Sequence, residues 1–366
     1  MTGGIGLAQS AKARVRRASL FQKEDFKLFL ERNSAGEIAV QLGKSAYAPI
    51  LKNFALEDMR RAELEFLLNI SVVREGVIFR HYAGLRDRKL LDLWLESFDI
   101  KLFKSHLRVR LGTEKWDEHL APDRIVDLVS DFHLTLVDQN KLFRAGTFKS
   151  IAAALKNEPL RKAMMEAVPS GWENVDLAAG GPDFQNIVFA VSMTVDRNYF
   201  DRLYATVAEV SGDEGRMLRA LVGARVDLMN LYWIYRARRF FGMSPETSLT
   251  LIMKARYRAN FELLTKAAFA EPRAIAVALA GTPYAEVFDV NDVNAALREV
   301  VVESNIYRFL FTVAERAFLA GAQGFQNVAA YLVLKELEVR DLVAVVEMVR
   351  YGFDRSKANQ VLVRPI

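Results

Sequence analysis

The feature that most constrains this chain is a phrase that occurs three times. In Val226–Gly242, VDLMNLYWIYRARRFFG, residues Leu228, Leu231, Ile234 and Tyr235 fall at the three- and four-residue spacing of one helical face. The phrase closes on Arg236, Arg238 and Arg239 before Gly242. Cations in a last turn favour the negative end of the helix dipole, and a following glycine supplies the left-handed residue at which many helices end. Phe98–Gly112 (FDIKLFKSHLRVRLG) and Leu337–Gly352 (LEVRDLVAVVEMVRYG) carry the same pattern. Setting Asp99, Asp227 and Glu338 in register brings Arg108 onto Arg236 and Asn230 onto Asp341. It also aligns Phe103, Leu231 and Leu342, with periods of 128 and then 111 residues. Self-similarity of this kind implies units that bury their apolar faces against one another.

Two further elements recur in the same order. A short apolar helix followed by a break, here called a hook, occurs at Leu28–Leu51, Leu142–Met164 and Leu263–Phe288. Gly43, Asn157 and Gly281 align at the break and predict a left-handed helix end in each copy, with Tyr47 and Tyr284 just beyond. Glu65, Asp196 and Glu303 each open an apolar helix 34, 31 and 35 residues before the motif acid. The reading is an all-α chain, one domain of three repeats spanning approximately 11–112, 113–242 and 243–366. Ala11–Arg32 is its opening helix and Gly171–Pro182 its longest loop. The tail Gly352–Val363 repeats Gly242–Met253, so the chain stops where another hook would begin, and its N-terminus starts with a helix leading into a hook. That continuity predicts a closed pseudo-threefold arrangement; an open solenoid would need polar capping repeats at both ends.

Composition narrows the chemistry. With no cysteine, the chain has no disulfide, thiolate metal site or cysteine nucleophile. The net charge of +5 is interspersed except at Lys12–Arg17 (KARVRR), which could meet nucleic acid or anionic lipid but reads better as a solvated helix end. No aromatic-interleaved basic stripe accompanies it, so no nucleic-acid partner is expected. The longest apolar run, Ile187–Val195, is half the ~18 residues a membrane span needs, and no signal peptide opens the chain. A cytoplasmic chain with no span of its own is therefore expected. Gly36–Ser45 (GEIAVQLGKS) ends like a phosphate-binding loop, but six residues separate its glycines where that loop needs four. His81, His106, His119 and His133 are scattered, and His106 falls on a packed helix face. No catalytic residue, metal site or cofactor is predicted.

Two sets of repeat residues remain as candidates. The repeat acids Asp99, Asp227 and Glu338 either line an opening that grips a partner or each cap or ion-pair within their own unit, and Asn230 and Asp341 join them as structural positions of the repeat. The second reading is favoured, and a surface ion pair would be worth under ~1 kcal/mol. Arg236, Arg238 and Arg239 are the candidate partner-facing cations.

Tyr331–Leu342 (YLVLKELEVRDL) follows Gly324-Phe325-Gln326-Asn327, and Asp227, Asn230 and Leu231 form an Asp-x-x-Asn-Leu core. With Ala13–Asp25 (ARVRRASLFQKED), these stretches resemble the C, or d, subunit of V-type and archaeal A-type rotary ATPases over nearly the whole chain. The first copy departs most, with Leu102 in place of the asparagine and His106 inside the helix. The resemblance implies a non-catalytic funnel of three helical units on the cytoplasmic face of the proteolipid rotor ring. Such a funnel would receive the foot of the central shaft (D- and F-type subunits) and couple ATP turnover to proton or sodium movement. The alternative reading is a helical-repeat scaffold of another complex.

Overall fold

The structure, a computed structural model, describes residues 2–110, 137–177, 183–290, 293, 297–320 and 323–364. Among these residues the regular elements are helices, and the one extended pairing is an isolated antiparallel bridge between Val137 and Leu155. In chain order the first helices are α1 (Thr2–Ala18), α2 (Lys23–Leu30), α3 (Ala35–Leu42), α4 (Ala48–Leu51), α5 (Arg61–His81) and α6 (Leu85–Arg110). Next come α7 (Gln139–Arg144), α8 (Phe148–Ala154), α9 (Glu158–Ala167), α10 (Asp183–Ala208) and α11 (Gly212–Phe240). The chain ends with α12 (Pro245–Thr250), α13 (Phe261–Phe269), α14 (Ile275–Ala278), α15 (Arg298–Leu319), α16 (Phe325–Arg350) and α17 (Ala358–Val361). Two compact units result: residues 1–84, 207–252 and 256–366 form the first, and 85–206 with 253–255 the second.

In the first unit the second and third copies of the repeated phrase are the C-terminal parts of α11 and α16. Both helices are buried on almost every side, which their apolar content all round the helix requires. They run parallel and in register. Glu214 in the first turn of α11 accepts from the Phe325 N–H at 2.7 Å, and Arg225 Nη2 lies 2.5 Å from Glu336 Oε2; both pairs are 111 residues apart. That offset is the sequence period. α15 crosses antiparallel to both, with Arg236 3.1 Å from Glu299 and Arg340 Nη2 3.3 Å from Ser304 Oγ. The four-residue segment Gly324–Asn327 starts α16. Asn327 Oδ1 there accepts from Ser10 Oγ at 2.5 Å while its Nδ2 donates to the Phe318 carbonyl at 2.8 Å, so this stretch ties α1, α15 and α16 together.

Three sequence expectations change in this unit and the next. The opening helix is broken: α1 ends at Ala18 and α2 starts at Lys23, because Ser19 Oγ caps the Arg16 carbonyl and Phe21 N–H is drawn to Glu338. Of the three aligned break residues, only Gly281 is left-handed, at φ +78°. Gly43 is right-handed at φ −60° and is needed for space, since a Cβ there would stand 2.8 Å from Leu56 Cδ1. Asn157 starts a helix, its side chain accepting from Leu160 N. Asp196 opens no helix; it sits inside α10.

The second unit holds α6 and most of α10, joined by charged pairs that are largely out of water. Arg202 forks onto the buried Glu96, and Lys104 Nζ lies 2.7 Å from Asp196. Thr147 and Ser150 cap α8 reciprocally. Asp99 and His106, both on α6, are buried. His119, His133, the 112/113 repeat limit and the last residues of the Gly171–Pro182 loop lie outside the described residues.

Candidate functional site

The repeat acids of α11 and α16 are clasps that hold hooks. Asp227 is fully buried, and its carboxylate accepts from four donors among the described residues. Oδ1 takes the Tyr257 N–H at 2.9 Å, and Oδ2 takes the N–H groups of Arg258 (2.6 Å) and Ala259 (2.9 Å) and the Tyr284 hydroxyl (2.7 Å). A buried carboxylate is tolerable only when donors replace its lost water, and charge-assisted bonds of this kind are the stronger ones. Burial, then the charge of Asp227, pushes the Tyr284 phenol far above its ordinary range, so it stays a proton donor.

Glu338 repeats the arrangement with partners from the other end of the chain. Its Oε2 accepts from Phe21 N at 2.5 Å, and its Oε1 from the Tyr47 hydroxyl at 2.8 Å and Lys335 Nζ at 2.7 Å. Lys335, itself buried, also stands 3.7 Å over the Tyr47 ring. Tyr47 is likewise held protonated, by burial first and Glu338 second. Thus α11 takes the hook that follows it, and α16 takes the hook at the N-terminus, 291 residues away. The Tyr331 hydroxyl donates to Glu75 Oε2 at 3.0 Å, and Arg16 meets Glu75 Oε1 at 3.1 Å, which extends the polar core onto α1 and α5.

Asp341 holds the tail. It is fully buried and accepts from Val363 N (2.8 Å) and Arg364 N (3.2 Å), and the Arg364 guanidinium reaches on to the Phe21 carbonyl. Burial raises the Asp341 carboxyl to about 6 against the pull of those two N–H bonds. Asn230, its aligned partner on α11, is buried too.

The acids were expected to cap or ion-pair within their own units; Asp227, Glu338 and Asp341 are buried and accept from backbone N–H groups, from phenols and, at Glu338, from Lys335. The physical reason is that the segments they hold are loops, whose N–H groups have no helical partner and must find one on burial. Glu75 and Lys335 were not singled out from sequence, although the Lys335/Glu338 spacing is that of neighbours on one helix face. Of the arginines, Arg236 pairs with Glu299, and Arg238 Nη1 donates to the Met243 carbonyl at 3.0 Å. Arg239 is exposed. Among the described residues no cluster of metal-ligating side chains occurs, and no helix is long and apolar enough to cross a membrane.

Helices and clasps together define an all-α protein whose long parallel helices each seize a tyrosine-bearing hook by a buried acid. The chain belongs to the ATP synthase (C/AC39) subunit family, whose model matches residues 9–361. It is similar to the C subunit of the A-type ATP synthase of Methanobrevibacter smithii, 24% identical over 366 residues that cover 98% of this chain and 88% of that protein. It is also similar to the C subunit of the A-type ATP synthase of Methanosphaera stadtmanae, 24% identical over 230 residues that cover 63% of this chain. In that alignment it covers 53% of the relative's length.

Proposed function

We propose that this chain is the non-catalytic central-stalk socket of an A-type or V-type rotary ATPase. In this reading three repeats close on themselves and seat the foot of the central shaft, formed by D- and F-type subunits. The socket rests on the cytoplasmic face of the proteolipid rotor ring and passes rotation between ATP turnover and proton or sodium movement. Membership of the C/AC39 family supports it. The observation that carries it is the clasp of the N-terminal hook on the last motif helix, Tyr47 to Glu338, which is what a chain closed head to tail requires. A socket that transmits torque must resist opening, and a buried, donor-satisfied carboxylate at the closure resists it better than an exposed pair would.

The test is reconstitution. The full chain is expected to co-elute in stoichiometric amounts with purified shaft subunits on gel filtration, and to sediment with the detergent-solubilised rotor ring. Arg236→Glu with Arg239→Glu should weaken one of these associations while leaving the thermal midpoint nearly unchanged. A folded chain that binds neither shaft nor ring would refute the reading.

A further inference from the structure

The parallel helices α11 and α16 end at one level, and both endings are exposed, aromatic and basic. Glu214 meets Phe325 and Arg225 meets Glu336 at the same offset of 111 residues. Extending that register sets Phe240 beside Tyr351. α11 finishes at Phe240 with Phe241 as its C-cap; α16 finishes at Arg350 with Tyr351 as its C-cap. Both chains then turn away through a left-handed glycine, Gly242 and Gly352, each at φ +58°. Phe240, Phe241 and Tyr351 therefore lie at the same end of this parallel helix pair. Phe240 is 49% exposed, Phe241 50% and Tyr351 72%.

Charge on the same endings is predominantly positive. Arg239 and Arg350 are exposed, Arg350 lying 5.2 Å from the Tyr351 ring centroid, and Arg355 and Lys357 follow in the exposed turn beyond α16. The exposed acids of these segments already serve as local caps: Asp354 accepts from Ser356 N and Oγ, and Glu246 lies in the first turn of α12. Helix C-termini carry a partial negative charge, which the last-turn arginines offset.

We infer that this end is a contact for the membrane surface, seated on anionic phospholipid headgroups. Aromatic rings beside arginines are the side chains that favour the membrane–water interface, where the ring sits at headgroup depth and the cation pairs with phosphate. Rings at two helix tips are points for shallow insertion, whereas a partner helix would be read by an apolar stripe along a groove. The inference rests on the proposed stalk function, which sets the chain beside a membrane, and it names a lipid contact in addition to the shaft and ring.

Co-sedimentation of the full chain with vesicles tests it. Binding is expected to phosphatidylcholine vesicles containing phosphatidylglycerol, not to phosphatidylcholine alone, and should fall as salt rises. Arg239→Glu with Arg350→Glu should lower the partition about tenfold or more. Phe241→Ser with Tyr351→Ser should lower it on the same vesicles, and Tyr351→Ser alone serves if the double variant does not fold. Leu319→Ser, at the opposite end of α15, should bind like the parent. A parent chain that ignores anionic vesicles, variants that bind undiminished, or binding of this end to an acidic protein instead of vesicles would overturn the inference. If vesicles fail while shaft and ring still bind, the stalk function stands and the lipid contact falls; the reverse result spares the lipid contact.

Discussion

A carboxylate taken out of water must be met by donors, and Asp227 and Glu338 meet that demand by different routes. Asp227 relies on three backbone N–H groups and a phenol, with no cation bonded to it among the described residues. Glu338 uses one N–H, one phenol and the buried ammonium of Lys335. Tyr284→Phe and Tyr47→Phe should each destabilise by about 1–3 kcal/mol, because each leaves a buried carboxylate short of one donor. Lys335→Met should cost more than either, roughly 3–5 kcal/mol, since it strips the charge partner from a buried acid. Urea denaturation midpoints at constant m-value measure all three.

Asp341 gives a pH signature. Its folded pKa, about 6, lies above the ordinary 3.8, so the folded chain binds a proton that the unfolded chain has already released. Its stabilising contribution is therefore complete below about pH 4 and is lost as pH rises through about 6. Over that window the loss is roughly 2–3 kcal/mol, at about 1.36 kcal/mol per pKa unit. Asp341→Asn should flatten the stability profile between about pH 4 and 6, which thermal denaturation across that range will show.

At the scale of helices, the apolar spacing of the repeated phrase was a good guide. Leu231 and Leu342, aligned through the motif acids, are both fully buried, and Leu→Ala at either should cost about 2–5 kcal/mol. Helix ends were less legible. The phrase predicts a helix over 226–242, but α11 starts at Gly212, and its added turns bury Leu218, Leu221 and Ala224. Gly223 shows a second kind of hidden constraint: a Cβ there would lie 2.5 Å from the Tyr257 side chain, on the segment that Asp227 holds. Gly223→Ala should cost about 1–3 kcal/mol by overpacking, and should do so less when combined with Tyr257→Ala. A glycine inside a helical pattern gives no sign of what will press against it. The break between α1 and α2 was equally silent, because Glu338, which draws the Phe21 N–H, is 317 residues distant.

For the whole molecule, the length of the clasps in sequence decides how the chain is held. The bonds from Tyr47 and Phe21 to Glu338, and from the N–H groups of Val363 and Arg364 to Asp341, join the N-terminal and C-terminal segments to the same helix. Glu338→Gln is therefore expected to loosen the N-terminal segment as a block. Hydrogen exchange should quicken over residues 2–51 together before it quickens on α11, and uniform quickening would argue against a clasp acting on that segment. The residues by themselves determined the all-helical character, the apolar faces of the motif helices, the 111-residue offset and the likeness of Gly352–Val363 to Gly242–Met253, because each is a local or periodic property of the order of side chains. Tertiary structure alone decided which hooks Asp227 and Glu338 hold, and that Asp227, Glu338 and Asp341 are buried acceptors of loop N–H groups. The reason is physical: periodicity reports which way a side chain faces along its own helix, while the donor that satisfies a buried carboxylate can come from any distance along the chain.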